Sequence, residues 1–86
     1  MICIELKSFK TVSELCNICS KYKNKFDVDV IHGRYTVDGN SILGVTSLID
    51  NVVELVPVTS NMSEVKEFYN SVKGIGAYKS DEVNGE

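Results

Sequence analysis

Three segments of this chain alternate residues of opposite faces one for one, and a fourth, mostly apolar, run follows them. In "MICIELK", Ile2, Ile4 and Leu6 alternate with Cys3, Glu5 and Lys7; in "FDVDVI", Phe26, Val28 and Val30 alternate with Asp27 and Asp29. "RYTV" takes up the pattern with Tyr35 and Val37, and "NVVELVPV" supplies a fourth run. Successive side chains of a strand point to opposite faces, so each run predicts a strand buried on one side and wet on the other. Such strands build an antiparallel sheet that needs a cover on one face only. His32-Gly33 stands between the second and third runs and predicts the hairpin turn, because Gly accepts positive φ and His is enriched there. Pro57 has no amide to donate, which places it at an edge, a bulge or a strand end.

The cover comes from two segments of helical period. "TVSE" reads as a capping box in which Thr11 accepts from the Glu14 amide. Val12, Leu15, Cys16, Cys19 and Tyr22 then share one face, and the lysines of "KYKNK" suit the negative end of the helix. "NMSE" predicts a second start capped by Asn61, with Met62, Val65, Phe68, Tyr69 and Val72 as the stripe and Gly74 and Gly76 as terminators. The expectation is an α+β two-layer sandwich: a four-stranded antiparallel sheet with helices packed on one face. Residues 1–78 form its single domain, and 79–86, "KSDEVNGE", form a polar C-terminal tail.

Charge and cysteine usage narrow the function classes. The 86 residues carry 9 Lys and Arg against 12 Asp and Glu, a net charge of −3. A sequence-independent nucleic-acid binder needs a basic footprint, so no nucleic acid is expected as partner. No apolar stretch approaches the roughly 18 residues of a membrane span. "MICIELK" brings charge too early for a signal peptide, so no membrane partner and a cytoplasmic location are expected. Three cysteines, an odd count, fit reduced thiols. Cys16 and Cys19 spell C-x-x-C, which admits a redox or metal reading beside that of two core residues. Their mid-helix place on the apolar face favours the core, and one histidine leaves zinc without a second ligand pair. No metal and no cofactor are expected.

The stretch "VDGNSILGVTSL", residues 37–48, is unusually punctuated. Asp38, Gly39 and Asn40 make a turn, after which Ser41 can cap a short helix, "ILGVTSL", by accepting from its first free amides. A hairpin pivoting on Asp38-Gly39 is the rival. As a helix it carries Ile42, Leu43, Val45 and Leu48, more apolar residues than so short an element hides, which predicts an exposed contact patch.

"GNSILGVTSL", preceded by a strand hairpin and followed by "NVVELVPV" and a last helix, resembles the histidine-containing phosphocarrier protein family, HPr, of the bacterial sugar phosphotransferase system. In that family a Ser-Ile-Met/Leu-Gly-Val segment opens the short second helix, and its serine is the regulatory site of HPr kinase/phosphorylase. The resemblance extends over nearly the whole chain. It implies an open-faced β-sandwich with element order β-α-β-β-α-β-α. It also implies regulatory phosphorylation at Ser41 and partner docking through Ile42, Leu43 and Thr46. The implied partners are proteins of the phosphotransferase system, HPr kinase/phosphorylase or a transcriptional regulator.

The departure from the family is equally specific. Its catalytic loop, Gly-x-His-Ala-Arg-Pro, belongs between the first strand and first helix, where this chain has "LKSFKTVS". A phosphocarrier needs a reversible phosphoimidazole, and a phosphoester on Ser8, Thr11 or Ser13 would be too stable to pass on. No catalytic residue is therefore assigned, and no enzyme is expected. The only histidine, His32, reads as a turn residue, with a relocated phosphoryl acceptor as the other reading. The expected function is a regulatory, protein-binding HPr-like protein, similar to the catabolite-repression HPr of Gram-positive bacteria, which keeps the serine without the histidine. The alternatives are a diverged phosphocarrier with a non-standard acceptor, and a small-molecule-binding α+β regulatory module of ACT-like type. The latter wants a glycine-rich loop that "LKSFKT" lacks. Ser41 as a structural cap alone is the plainest reading of that residue.

Overall fold

The computed structural model of the chain describes residues 1–80. Its elements run β1 (Ile2–Glu5), α1 (Phe9–Tyr22), β2 (Val28–His32), β3 (Tyr35–Asp38), α2 (Ile42–Thr46), β4 (Val52–Pro57), α3 (Met62–Lys73) and β5 (Tyr78–Lys79). The fold is α+β, with one open antiparallel sheet in the order β3-β2-β4-β1-β5. β4 returns between β1 and β2, so its two faces carry the middle of the molecule. Pro57 is its last residue, opposite Val28, where the missing amide interrupts nothing further along the strand.

Alternation sorts β2 and β4 as their sequences predict; in β1 Cys3 is buried as well as Ile2 and Ile4, and β3, at the sheet edge, leaves Tyr35 69% exposed and Val37 half-buried. Ile2, Ile4, Val28, Val30, Val53 and Leu55 are buried on one face with Val12, Leu15 and Cys19 of α1, Val45 of α2, and Phe68 and Val72 of α3. Three aromatic rings lock the helices at one end of this core. Tyr22 stacks on Phe26 with centroids 5.3 Å apart, and both meet Phe68 edge-on. The phenol of Tyr22 lies 2.9 Å from the Ser71 hydroxyl, which satisfies its one polar atom at the rim.

The sheet has five strands where four were expected. Gly76, at φ +110°, turns the chain after α3, and Ile2 and Cys3 then pair with Lys79 and Tyr78. Lys79, expected in the polar tail, lays its ammonium 4.9 Å from the centre of the Tyr69 ring and so ties the new strand to α3. Residues 81–86 of that tail lie outside the described residues.

Three local expectations are corrected. α1 starts two residues before Thr11, because Ser8 is its cap and accepts from the Thr11 amide; the earlier serine takes the role assigned to Thr11 in the capping box. The β2–β3 turn is Gly33-Arg34, with His32 already paired to Tyr35. Gly33 alone has positive φ, +59°, as a turn with glycine in first place allows. Gly74 keeps right-handed helical geometry, so the left-handed residue after α3 is Gly76 alone. At α3 the predicted cap forms, Asn61 accepting from the Ser63 and Glu64 amides. Glu64, however, receives the Thr59 hydroxyl at 2.7 Å rather than reaching back to Asn61.

Candidate functional site

The short helix α2 is the element on which the sequence concentrates. Ser41 is its N-cap: the backbone is extended at φ −94°, and the side chain accepts from the Gly44 amide at 3.3 Å. Asp38 prepares the turn by accepting the Asn40 amide at 2.8 Å. The rival hairpin at Asp38-Gly39 is thereby displaced, since β3 ends at Asp38 and the chain enters a helix. That helix is two residues shorter than expected, closing at Thr46 with residues 47–50 as turns.

Its four apolar residues divide by face. Val45 and Leu48 are buried, whereas Ile42 is 41% and Leu43 83% exposed. A leucine that exposed, beside a capping hydroxyl that is itself exposed, is the most conspicuous apolar feature on the helical side. Thr46 is half-buried, and its hydroxyl donates to the Ile42 carbonyl, so only part of it faces outward. Of the three expected docking residues, Ile42 and Leu43 form the exposed portion and Thr46 the helix-side margin.

Two glycines explain how α2 reaches this place. Gly39 is buried where α1 passes over β2, and a Cβ there would sit 2.7 Å from Cys19 Sγ and 3.2 Å from the Val28 carbonyl oxygen. Its amide donates to that same oxygen at 2.8 Å. Gly44 faces β3, with room for a Cβ only 3.1 Å from Ser41 Oγ and 3.2 Å from Val37 Cβ. Each glycine is a contact point between elements, and together they press α2 onto the body of the fold.

The far end of α2 is strapped to the segment between β1 and α1. The Asp50 amide donates to the Leu6 carbonyl at 2.7 Å, and the Leu6 amide donates to the Asn51 carbonyl at 2.9 Å. Asp50 takes φ +75° to make this crossing, a conformation Asp tolerates better than most residues. "LKSFKTVS" and the α2–β4 connection are therefore neighbours.

That segment also borders a half-open hollow of about 440 Å³, lined among others by Glu5, Lys7, Lys10, Thr11, Glu14 and Tyr78. Charges of both signs, a hydroxyl and a phenol can hold ionic groups, but the lining offers no imidazole or thiol. The sequence reasoning passed over this hollow. A usable signal was present in Lys10 and Glu14, which share a helix face at i, i+4, whereas Tyr78 arrives only through β5.

The remaining candidate residues fall elsewhere. His32 closes the β2–β3 hairpin, its Nδ1 3.3 Å from the Val52 carbonyl oxygen; a carbonyl only accepts, so that nitrogen carries the proton in this contact. Cys19 is fully buried, and burial together with Cys16 and Asp38 pushes its pKa up to about 12. Cys16 is only half-buried, one position off the Leu15–Cys19 line, and burial raises its thiol too. The expectation of two equally buried core cysteines is corrected for Cys16. Among the described residues no group of three or more His, Cys, Asp or Glu comes together as a metal cage, and no helix is long and apolar enough to cross a membrane. No family model, no curated protein and no solved structure matches the chain.

Proposed function

We propose that this chain is a regulatory, protein-binding HPr-like protein of the sugar phosphotransferase system, acting through α2 and controlled at Ser41. The observation that carries the reading is the juxtaposition of an exposed Ser41 hydroxyl with Leu43, 83% exposed, and Ile42. The order of elements through α3 agrees with the β-α-β-β-α-β-α order expected of the family, and the open sheet with its helices on one face supports an HPr-like sandwich. The fifth strand is an addition to that plan.

In this reading Leu43 and Ile42 are the apolar anchor for a partner enzyme, HPr kinase/phosphorylase or a transcriptional regulator. A phosphate on Ser41 adds about −1.5 to −2 charges one residue from that anchor. Charge placed there raises the cost of desolvating the patch against an apolar partner and favours one that brings arginine or lysine. The fold does not have to change. The cap bond uses one lone pair of Oγ, and the α2 backbone is held from both ends by Gly39 and by the Leu6–Asp50 strap.

Phosphoryl transfer through an acceptor histidine is not part of the proposal. "LKSFKTVS" lines the hollow with Lys7, Lys10 and Thr11, and His32 sits on a different hairpin. The test is paired. HPr kinase with ATP should add one phosphate that mass spectrometry places on Ser41 and that Ser41→Ala removes, while enzyme I with phosphoenolpyruvate should label nothing. An unmodified Ser41, or acid-labile label on His32, overturns the proposal.

A further inference from the structure

The sheet face turned away from the helices is the least explained surface of the molecule. Pairing registers place Tyr78, Cys3, Glu54, Ile31 and Thr36 in one row across all five strands. Val52 and Val56 lie on either side of Glu54 along β4, and Glu5 and Asp29 stand opposite them on the neighbouring strands. Among the strand positions of this face there are four carboxylates, Glu5, Asp29, Asp38 and Glu54, and no lysine or arginine. Most lysines lie instead on and between the helices, at Lys10, Lys21, Lys23, Lys25, Lys66 and Lys73; Lys7 meets Glu5 and Tyr78 at the hollow on the rim of the face, and Lys79 of β5 turns to Tyr69 of α3.

Glu54 is the centre of the pattern. Its four nearest neighbours on the face are Cys3 and Ile31 across the strands and Val52 and Val56 along its own. It is half-buried among them, and no described residue gives its carboxylate an ion pair or a hydrogen bond. A carboxylate set among apolar side chains is complementary to a cation that arrives surrounded by apolar atoms. Cys3 is buried and Ile31 and Val56 are half-buried, whereas Val52 remains 48% and Tyr78, beyond Cys3, 44% exposed, so the face is open to a partner at these two residues.

We infer that this open face docks a basic amphipathic helix of another protein, one that presents a lysine or arginine within an apolar stripe and sets it on Glu54. Charge decides among the occupants. A second copy presented face to face would oppose carboxylates to carboxylates. The chain's own last residues, "DEVNGE", bring acid and no base. An added strand would instead use the free edge of β3, which lies at the end of the sheet. Five strands at about 4.8 Å spacing make a face roughly 20 Å wide, enough to seat a helix about 10–12 Å across. So small a footprint belongs with transient complexes.

The probe is a synthetic helical peptide with a leucine stripe flanked by lysines, titrated into the ¹⁵N-labelled full chain; the control peptide has glutamate for each lysine. Expected are amide shifts concentrated on β1, β2 and β4 around Glu54. Affinity should be at least tenfold higher for the lysine peptide, fall with added salt, and drop about tenfold in Glu54→Gln. A second variant, Val52→Lys, changes an exposed residue and should weaken the lysine peptide comparably, and Leu43→Glu on α2 should not. Shifts confined to the helical side, equal affinity for both peptides, no binding by either, or concentration-dependent self-association through this face would each overturn the inference. Because Leu43→Glu is silent here, the outcome is independent of the Ser41 reading.

Discussion

Adding one methyl group to Gly39 tests how α2 is held. The backbone there is not in the left-handed region, so an alanine is conformationally allowed and only space opposes it. The new Cβ would lie 2.7 Å from Cys19 Sγ and 3.2 Å from the Val28 oxygen. Neither neighbour gives way easily, since Cys19 and Val28 are both fully buried and Val28 is held opposite Pro57 in the sheet. Overpacking of this kind costs about 1–3 kcal/mol. Replacing glycine also stiffens the unfolded chain, which returns about 0.4–1 kcal/mol. The net expectation for Gly39→Ala is a loss of about 1–2 kcal/mol, which at about 4–8 °C per kcal/mol in a domain of this size lowers Tm by roughly 5–15 °C.

The control is a double-mutant cycle with Cys19→Ala, which removes the closest atom and leaves the Cys19 Cβ contact at 3.3 Å. Thermal melts followed by circular dichroism should give Gly39→Ala a smaller penalty in the Cys19→Ala background. The coupling between the two sites should reach at least about 0.5 kcal/mol. A Gly39→Ala protein as stable as the parent, or a penalty identical in both backgrounds, refutes the close-packing argument and returns Gly39 to the status of a simple turn residue.

Gly44→Ala should loosen the cap of α2, because its Cβ competes with Ser41 Oγ at 3.1 Å and Val37 at 3.2 Å. Chemical denaturation should show a cost of about 1 kcal/mol, close to that of losing a serine cap outright, and Ser41→Ala combined with Gly44→Ala should cost less than the sum. The cysteines should differ in rate toward a thiol reagent at neutral pH, with half-buried Cys16 reacting first and Cys19 only on unfolding. Cys19 also makes stability fall on the alkaline side: its folded pKa is raised from 9.0 to about 12, so its contribution is intact below the lower value and is lost as pH rises toward the upper one. Cys19→Ala should flatten that part of the pH–stability curve measured by urea unfolding.

Much of the fold was legible because its strands and helices carry strong periods. Phe26, Val28 and Val30 face inward as their alternation requires, and Asn61 caps α3 as its place before the Met62–Val72 stripe requires. The misreadings occur where two local signals compete within three residues. Ser8 and Thr11 both suit the cap of α1, and the tie is broken by Leu6, whose bonds to Asp50 and Asn51 end β1 early enough for Ser8 to serve. β5 was illegible for a different reason. Two residues are too few to show a period, and Tyr78 and Lys79 become a strand only because Gly76 turns the chain back beside Ile2 and Cys3.

The candidate site was readable in its chemistry but not in its cause. Gly39 and Gly44 were visible as breaks in "VDGNSILGVTSL", and a turn was the natural inference. Their reason is instead the distance to Cys19, Val28 and Val37, residues 20, 11 and 7 positions away that only the folded sheet brings near. The same holds for Glu54. In "NVVELVPV" it is one polar residue in its proper outward place, indistinguishable from any solvated carboxylate. Its apolar surroundings arise when β4 crosses between β1 and β2 and sets Cys3 and Ile31 at its sides. A strand sequence reports which face a residue takes, whereas its neighbours on that face depend on the strand order. For that reason a surface built across β1, β2 and β4 has no signature in any one of them.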